Sequence, residues 1–95
     1  MGDTGKHHYL KTWPEYFQAM KDGTKTFEMR KNDRKYTVGD TLILQEFNPE
    51  TELYTDSVDL WFRVTYVLDK QPFVSEGYVC MATKPIWGMM ECRFK

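Results

Sequence analysis

The stretch TWPEYFQAMKDGTKTFEMRK, residues 12–31, changes its hydrophobic period half-way along, and that change decides the fold class. Its first half predicts a helix. Thr12-Trp13-Pro14-Glu15 fits a capping box, with Thr12 as N-cap, Pro14 in the first turn and Glu15 at N3. Trp13, Tyr16, Phe17 and Met20 recur at helical spacing and form one apolar stripe. Gly23 closes the helix as a C′ residue able to take positive φ. From residue 25 the period falls to two, with Phe27 and Met29 on one side of a strand and Thr26, Glu28 and Arg30 on the other.

Strand signals surround this helix on both sides. Residues 6–12, KHHYLKT, read as a short strand with His8 and Leu10 on one face and Tyr9 and Lys11 on the other. Downstream, Asn32-Asp33-Arg34-Lys35 is a loop, and Val38-Gly39-Asp40 is a tight turn into the apolar strand at residues 41–47. Residues 48–52 turn the chain again. Residues 53–69 are rich in β-branched and aromatic side chains and predict a long strand or hairpin arm, Pro72 breaks the pattern, and residues 77–83 predict a closing strand. One helix among strands joined by short turns predicts an α+β domain: a small β-barrel or curled sheet of five or six strands with the helix at one end. No internal repeat or low-complexity tract interrupts it.

Ninety-five residues at 11.4 kDa suffice for a single domain spanning 1–95, and 41% hydrophobic with 16% aromatic residues is enough apolar content to fold. Residues 1–5 read as a frayed lead-in, and residues 84–95 as an apolar tail carrying Ile86, Trp87, Met89, Met90 and Phe94. No apolar run reaches a membrane-spanning length and no signal-peptide layout is present, so a cytoplasmic protein is expected. Cys80 and Cys92 make neither a disulfide framework nor a zinc set, and the adjacent His7 and His8 point to opposite sides of a strand, so no metal and no cofactor are expected.

The net charge of −1 hides an uneven distribution: residues 21–35 carry +3 and residues 40–59 carry −6. The basic segment is where chemistry concentrates. Lys25, Glu28, Arg30, Lys31 and Arg34 fall within ten residues, a set that suits an anionic ligand bearing a base. A carboxylate among cations stays ionised and either accepts from a base amine or orients an arginine. Tyr36, in a polar loop beside Lys35, is the candidate stacking ring, whereas Trp13 reads as core. Nucleophile elbows, P-loops and dinucleotide fingerprints are absent from the sequence. The one enzymatic arrangement is Lys25 as base or nucleophile with Glu28 or Glu76 moving a proton.

Several blocks of the chain resemble the ASCH domains: His8-x-Leu10-Lys11, Trp13-Pro14-x-Tyr16-Phe17, Gly23-x-Lys25-x-Phe27-Glu28-x-Arg30-Lys31-Asn32-Asp33-Arg34 and Val38-Gly39-Asp40. Tyr54-Thr55, residues 64–68 and residues 77–81 continue the similarity, which is nearest to a small uncharacterised bacterial and phage family among them. The resemblance implies a PUA-like β-barrel with a cleft between barrel and helix. It also implies RNA or nucleotide binding in that cleft, with Gly23, Lys25, Glu28 and Arg30 matching the family's Gly-x-Lys-x-x-Glu-x-Arg. Some ASCH-like proteins are amidohydrolases acting on acetylated cytidine, although Glu28 stands where that subgroup carries Thr.

The first expectation is therefore a non-enzymatic module that binds RNA or a nucleotide through Lys25, Glu28, Arg30, Lys31, Arg34 and Tyr36. The second is a small hydrolase of a modified nucleoside using Lys25, Glu28 and Glu76. The third is a protein-interaction module, with weak self-association through the apolar tail.

Overall fold

In the computed structural model, which describes residues 5–86, the chain is an α+β domain of six strands and one helix. β1 (His7–Thr12), α1 (Pro14–Asp22), β2 (Phe27–Lys31), β3 (Thr41–Asn48), β4 (Leu53–Tyr54), β5 (Leu60–Leu68) and β6 (Tyr78–Pro85) follow in chain order. The sheet runs β1-β3-β5-β6-β2, with the short β4 added to β3. β1 pairs with β3 in parallel, and the other pairs are antiparallel. The parallel pair forms because β2 leaves for the far edge of the sheet and lets β3 return beside β1.

Alternation builds the interior. His8, Leu10 and Thr12 of β1 are buried while Tyr9 and Lys11 are exposed. Leu42, Ile43 and Leu44 of the central β3 are fully buried, as a continuous apolar run in mid-sheet should be. Phe17 and Met20 of α1 complete the core against Leu42, Leu44, Phe62, Val79 and Met81. The expected arm at residues 53–69 resolves into β4 and β5, separated by five residues. A register shift between Val64 and Tyr66 re-aims the side chains of β5, so that Val67 rejoins the core side.

The barrel expectation is corrected. Among the described residues the sheet is not closed, since β1 and β2 remain its two edges. The physical reason is the connection between them: α1 and the turn after it hold the two strands apart, and side chains rather than a backbone ladder cross the seam. Arg30 Nη2 donates to Thr12 Oγ1 at 3.1 Å, and Arg34 Nη1 donates to the Tyr9 carbonyl at 3.2 Å.

The helix start is also corrected. Trp13, not Thr12, is the N-cap, with φ −63° and ψ 149°, and no side chain caps the first turn. Pro14 takes the first helical position and drives the residue before it into extended backbone. Thr12 is left at the end of β1, where its hydroxyl donates to the Leu10 carbonyl. The helix ends as expected at Gly23, whose φ is 85°. A Cβ there would meet nothing within 4 Å, so Gly23→Ala carries backbone strain alone. Its expected cost is about 1 kcal/mol, read as a lower urea midpoint at unchanged slope.

Residues 84 and 85 extend β6 and so belong to the sheet, while Trp87, Met89, Met90, Cys92 and Phe94 of the expected tail lie outside the described residues, as do residues 1–4 of the lead-in. No helix among the described residues is long and apolar enough to cross a membrane.

Candidate functional site

The seam between β1 and β2 opens into a pocket of about 460 Å³. Lys11, Thr12, Trp13 and Tyr16 form one wall, and Lys25, Phe27, Glu28, Met29 and Arg30 form the other. The β2 strand has the expected alternation with its polarity reversed: Glu28 is 3% exposed, whereas Phe27 and Met29 are 44% and 51% exposed. The charged side therefore faces inward.

Glu28 is the centre of this wall. Its Oε1 accepts from Arg30 Nε at 3.2 Å, and its Oε2 accepts from Lys25 Nζ at 3.4 Å. Lys25 Nζ also donates to the Phe27 carbonyl at 2.8 Å and lies 4.8 Å from the Phe27 ring centroid. Arg30 carries the network across the seam through its bond to Thr12. A buried carboxylate costs several kcal/mol unless paired, and here Arg30 of the same strand and Lys25 just before it pair it. Guanidinium has five N–H groups and ammonium three, so both retain donors after these bonds. With Lys11 added, the pocket holds three cations and one carboxylate, which favours an anionic ligand.

Aromatic surface adjoins the charge. Trp13 and Tyr16 stack with centroids 6.3 Å apart and planes 24° from parallel, and both stay exposed at 51% and 45%. The expectation that Trp13 belongs to the core is thus corrected. Pro14 fixes it before the helix rather than in the helix stripe, which the sequence signalled through the preference of Pro for N1. Tyr36 is corrected in the opposite direction. It is 5% exposed, with its ring 4.6 Å from that of His8, so it offers no face to a ligand. Burial pushes its phenol above the usual value of 10, against the lowering effect of Arg34 and Arg30.

The other expected residues divide. Lys25, Glu28 and Arg30 converge in the pocket. Lys31 is exposed at the far end of β2, in register with Tyr78, and Arg34 reaches back over the seam to β1. Glu76 is exposed in the connection between β5 and β6 and does not line the pocket. Among the described residues no group of three or more His, Cys, Asp or Glu is arranged to hold a metal.

A second buried cluster holds the near end of β1 to the loop before β3. Asp40, fully buried, accepts from His8 Nε2 at 2.8 Å, from the Lys6 N–H at 3.0 Å and from the N–H and hydroxyl of Thr37 at 3.0 Å each. Burial pushes its carboxyl up, and these donors outweigh that effect and hold it down at about 2. A Cβ on Gly5 would collide with the Gly39 carbonyl, so the chain before β1 passes too close to this loop for any side chain.

Comparison with known proteins locates this arrangement. A family model described as "Domain of unknown function (DUF3850)" matches residues 7–83, which contain every pocket residue. An uncharacterised 12.9 kDa protein in the GpA 3′ region of Escherichia phage P2 is 48% identical over 42 residues, an overlap of 44% of this chain and 38% of the phage protein.

Proposed function

The chain belongs to the DUF3850 family, and from that premise we propose that it is a binding module for RNA or a nucleotide, with the ligand seated in the pocket between β1 and β2. One observation carries the reading: two cations fixed on a buried carboxylate stand beside an exposed pair of stacked rings, so one pocket offers both phosphate donors and a base platform. Arg30 and Lys25 supply charge-assisted donors to phosphate or sugar. Trp13 and Tyr16 supply the stacking surface, where a base is worth about 1–3 kcal/mol. Glu28 has both oxygens engaged, so its role is to position the cations. The resemblance of Gly23-x-Lys25-x-x-Glu28-x-Arg30 to the ASCH motif supports the same assignment.

Titration of nucleoside 5′-monophosphates and of a single-stranded oligonucleotide at two salt concentrations tests this. Binding should weaken as salt rises, and Arg30→Ala should weaken it about tenfold while remaining folded. Absence of binding by the wild-type chain at low salt overturns the reading.

A further inference from the structure

We infer that the pocket is one end of a track for single-stranded nucleic acid running along β1, so that the preferred ligand is an oligonucleotide of several residues; this rests on the reading above. The outward side chains of β1 are His7, Tyr9 and Lys11, and Trp13 follows them into the pocket. Alternate strand positions lie about 6.8 Å apart, a spacing suited to successive nucleotides of an extended single strand. Tyr9 is 53% exposed, so a second base has a ring to stack on beyond the Trp13 and Tyr16 pair.

Cations accompany these rings. Arg34 is anchored through one nitrogen to the Tyr9 carbonyl, and its side chain is 45% exposed. Beyond it, the exposed Lys6, whose Nζ donates to the Lys35 carbonyl at 3.2 Å, adds a further cation at the start of β1. Asp33 approaches this row at 4.0 Å from Arg34 Nε and is itself 69% exposed. The opposite direction is closed to a polyanion. Thr12 registers with Glu46, so the turn after β3, bearing Glu50 and Glu52, projects past the pocket end of β1. A strand with a nucleotide in the pocket therefore leaves toward Tyr9, Arg34 and Lys6. Rings at this spacing need unstacked bases, which selects single strands over duplex.

The test compares uridine 5′-monophosphate with 5′-phosphorylated uridine dinucleotides and tetranucleotides, as RNA and as DNA, on the full chain. Affinity should rise at least tenfold from mononucleotide to tetranucleotide. Tyr9→Ala should remove about tenfold of tetranucleotide affinity, and Arg34→Ala should lower the salt slope by about one, with mononucleotide affinity unchanged in both. Both side chains are exposed, and circular dichroism checks that the variants are folded. A ribo-specific gain identifies RNA as the source, an equal gain identifies any single strand, and either supports the track. Mononucleotide binding as tight as the tetranucleotide, or a tetranucleotide indifferent to both substitutions, overturns the track and leaves the pocket reading standing. A hexaglutamate peptide that binds as well as the tetranucleotide also overturns it. If neither nucleotide nor oligonucleotide binds, both readings fall.

Discussion

Asp40→Ala should lower the stability of this domain by about 3–5 kcal/mol, read from urea denaturation at neutral pH. The carboxylate is fully buried and satisfies four donors: the Lys6 N–H, His8 Nε2, and the N–H and hydroxyl of Thr37. Removing it leaves the buried His8 nitrogen without its partner and takes away the acceptor of the Lys6 N–H and of both Thr37 donors. Since domains of this size have only about 5–15 kcal/mol in total, the variant should be partly unfolded under mild conditions. The same group sets an acid limit. Its folded value of about 2 lies below the unfolded 3.8, so the stability it contributes is complete above pH 3.8 and lost as pH falls through 2. That difference corresponds to about 2 kcal/mol at 1.36 kcal/mol per unit. Asp40→Asn should flatten this part of the pH profile. A wild-type profile already flat between pH 4 and pH 2 would show that the donors do not act on this carboxylate as the geometry requires.

The Asp40 cluster also shows where sequence reasoning stops. The turn at Val38-Gly39-Asp40 was legible from its residue types, and so was the face that His8 shares with Leu10. That these two residues meet depends on β3 lying parallel beside β1, a long-range pairing that no local pattern encodes. The same limit governs the site. Glu28 and Arg30 were legible because alternation puts them on one face of a strand, and Lys25 because it sits in the turn just before that strand. Lys11, Thr12, Trp13 and Tyr16 were not, because they join the site only across the seam where the β1 edge faces the β2 edge. Trp13 was misread for a local reason that the sequence did contain: Pro14 excludes its predecessor from the helix. Tyr36 was misread because a polar neighbourhood in sequence does not reveal that the loop folds its ring onto His8. The open seam follows from a balance of the same kind. Side-chain bonds from Arg30 and Arg34 take the place that a closing ladder would occupy in a barrel.

Glu28→Ala should weaken binding of a 5′-phosphorylated oligonucleotide by about thirtyfold or more, and the sign of the effect separates two accounts of the pocket. On charge alone the substitution should tighten binding, since it removes the one carboxylate facing an anionic ligand. On geometry it should weaken binding, because Glu28 is the common anchor of Lys25 and Arg30. Geometry should win. Charge added to a pocket open to solvent is screened over about 10 Å at 0.1 M salt. Two long side chains released from a buried anchor must instead be re-ordered each time ligand binds, at about 0.5–1.5 kcal/mol apiece. They also lose the alignment that brings their remaining donors toward the aromatic wall. Glu28→Gln keeps the shape and one acceptor but opposes its amide N–H groups to those of Lys25 or Arg30, so it should fall between wild type and alanine. A double-mutant cycle with Arg30→Ala provides the decisive number. If Glu28 acts through Arg30, the two losses combine to clearly less than their sum. Strictly additive losses, or tighter binding by Glu28→Ala, would show that the carboxylate meets the ligand independently or merely repels it.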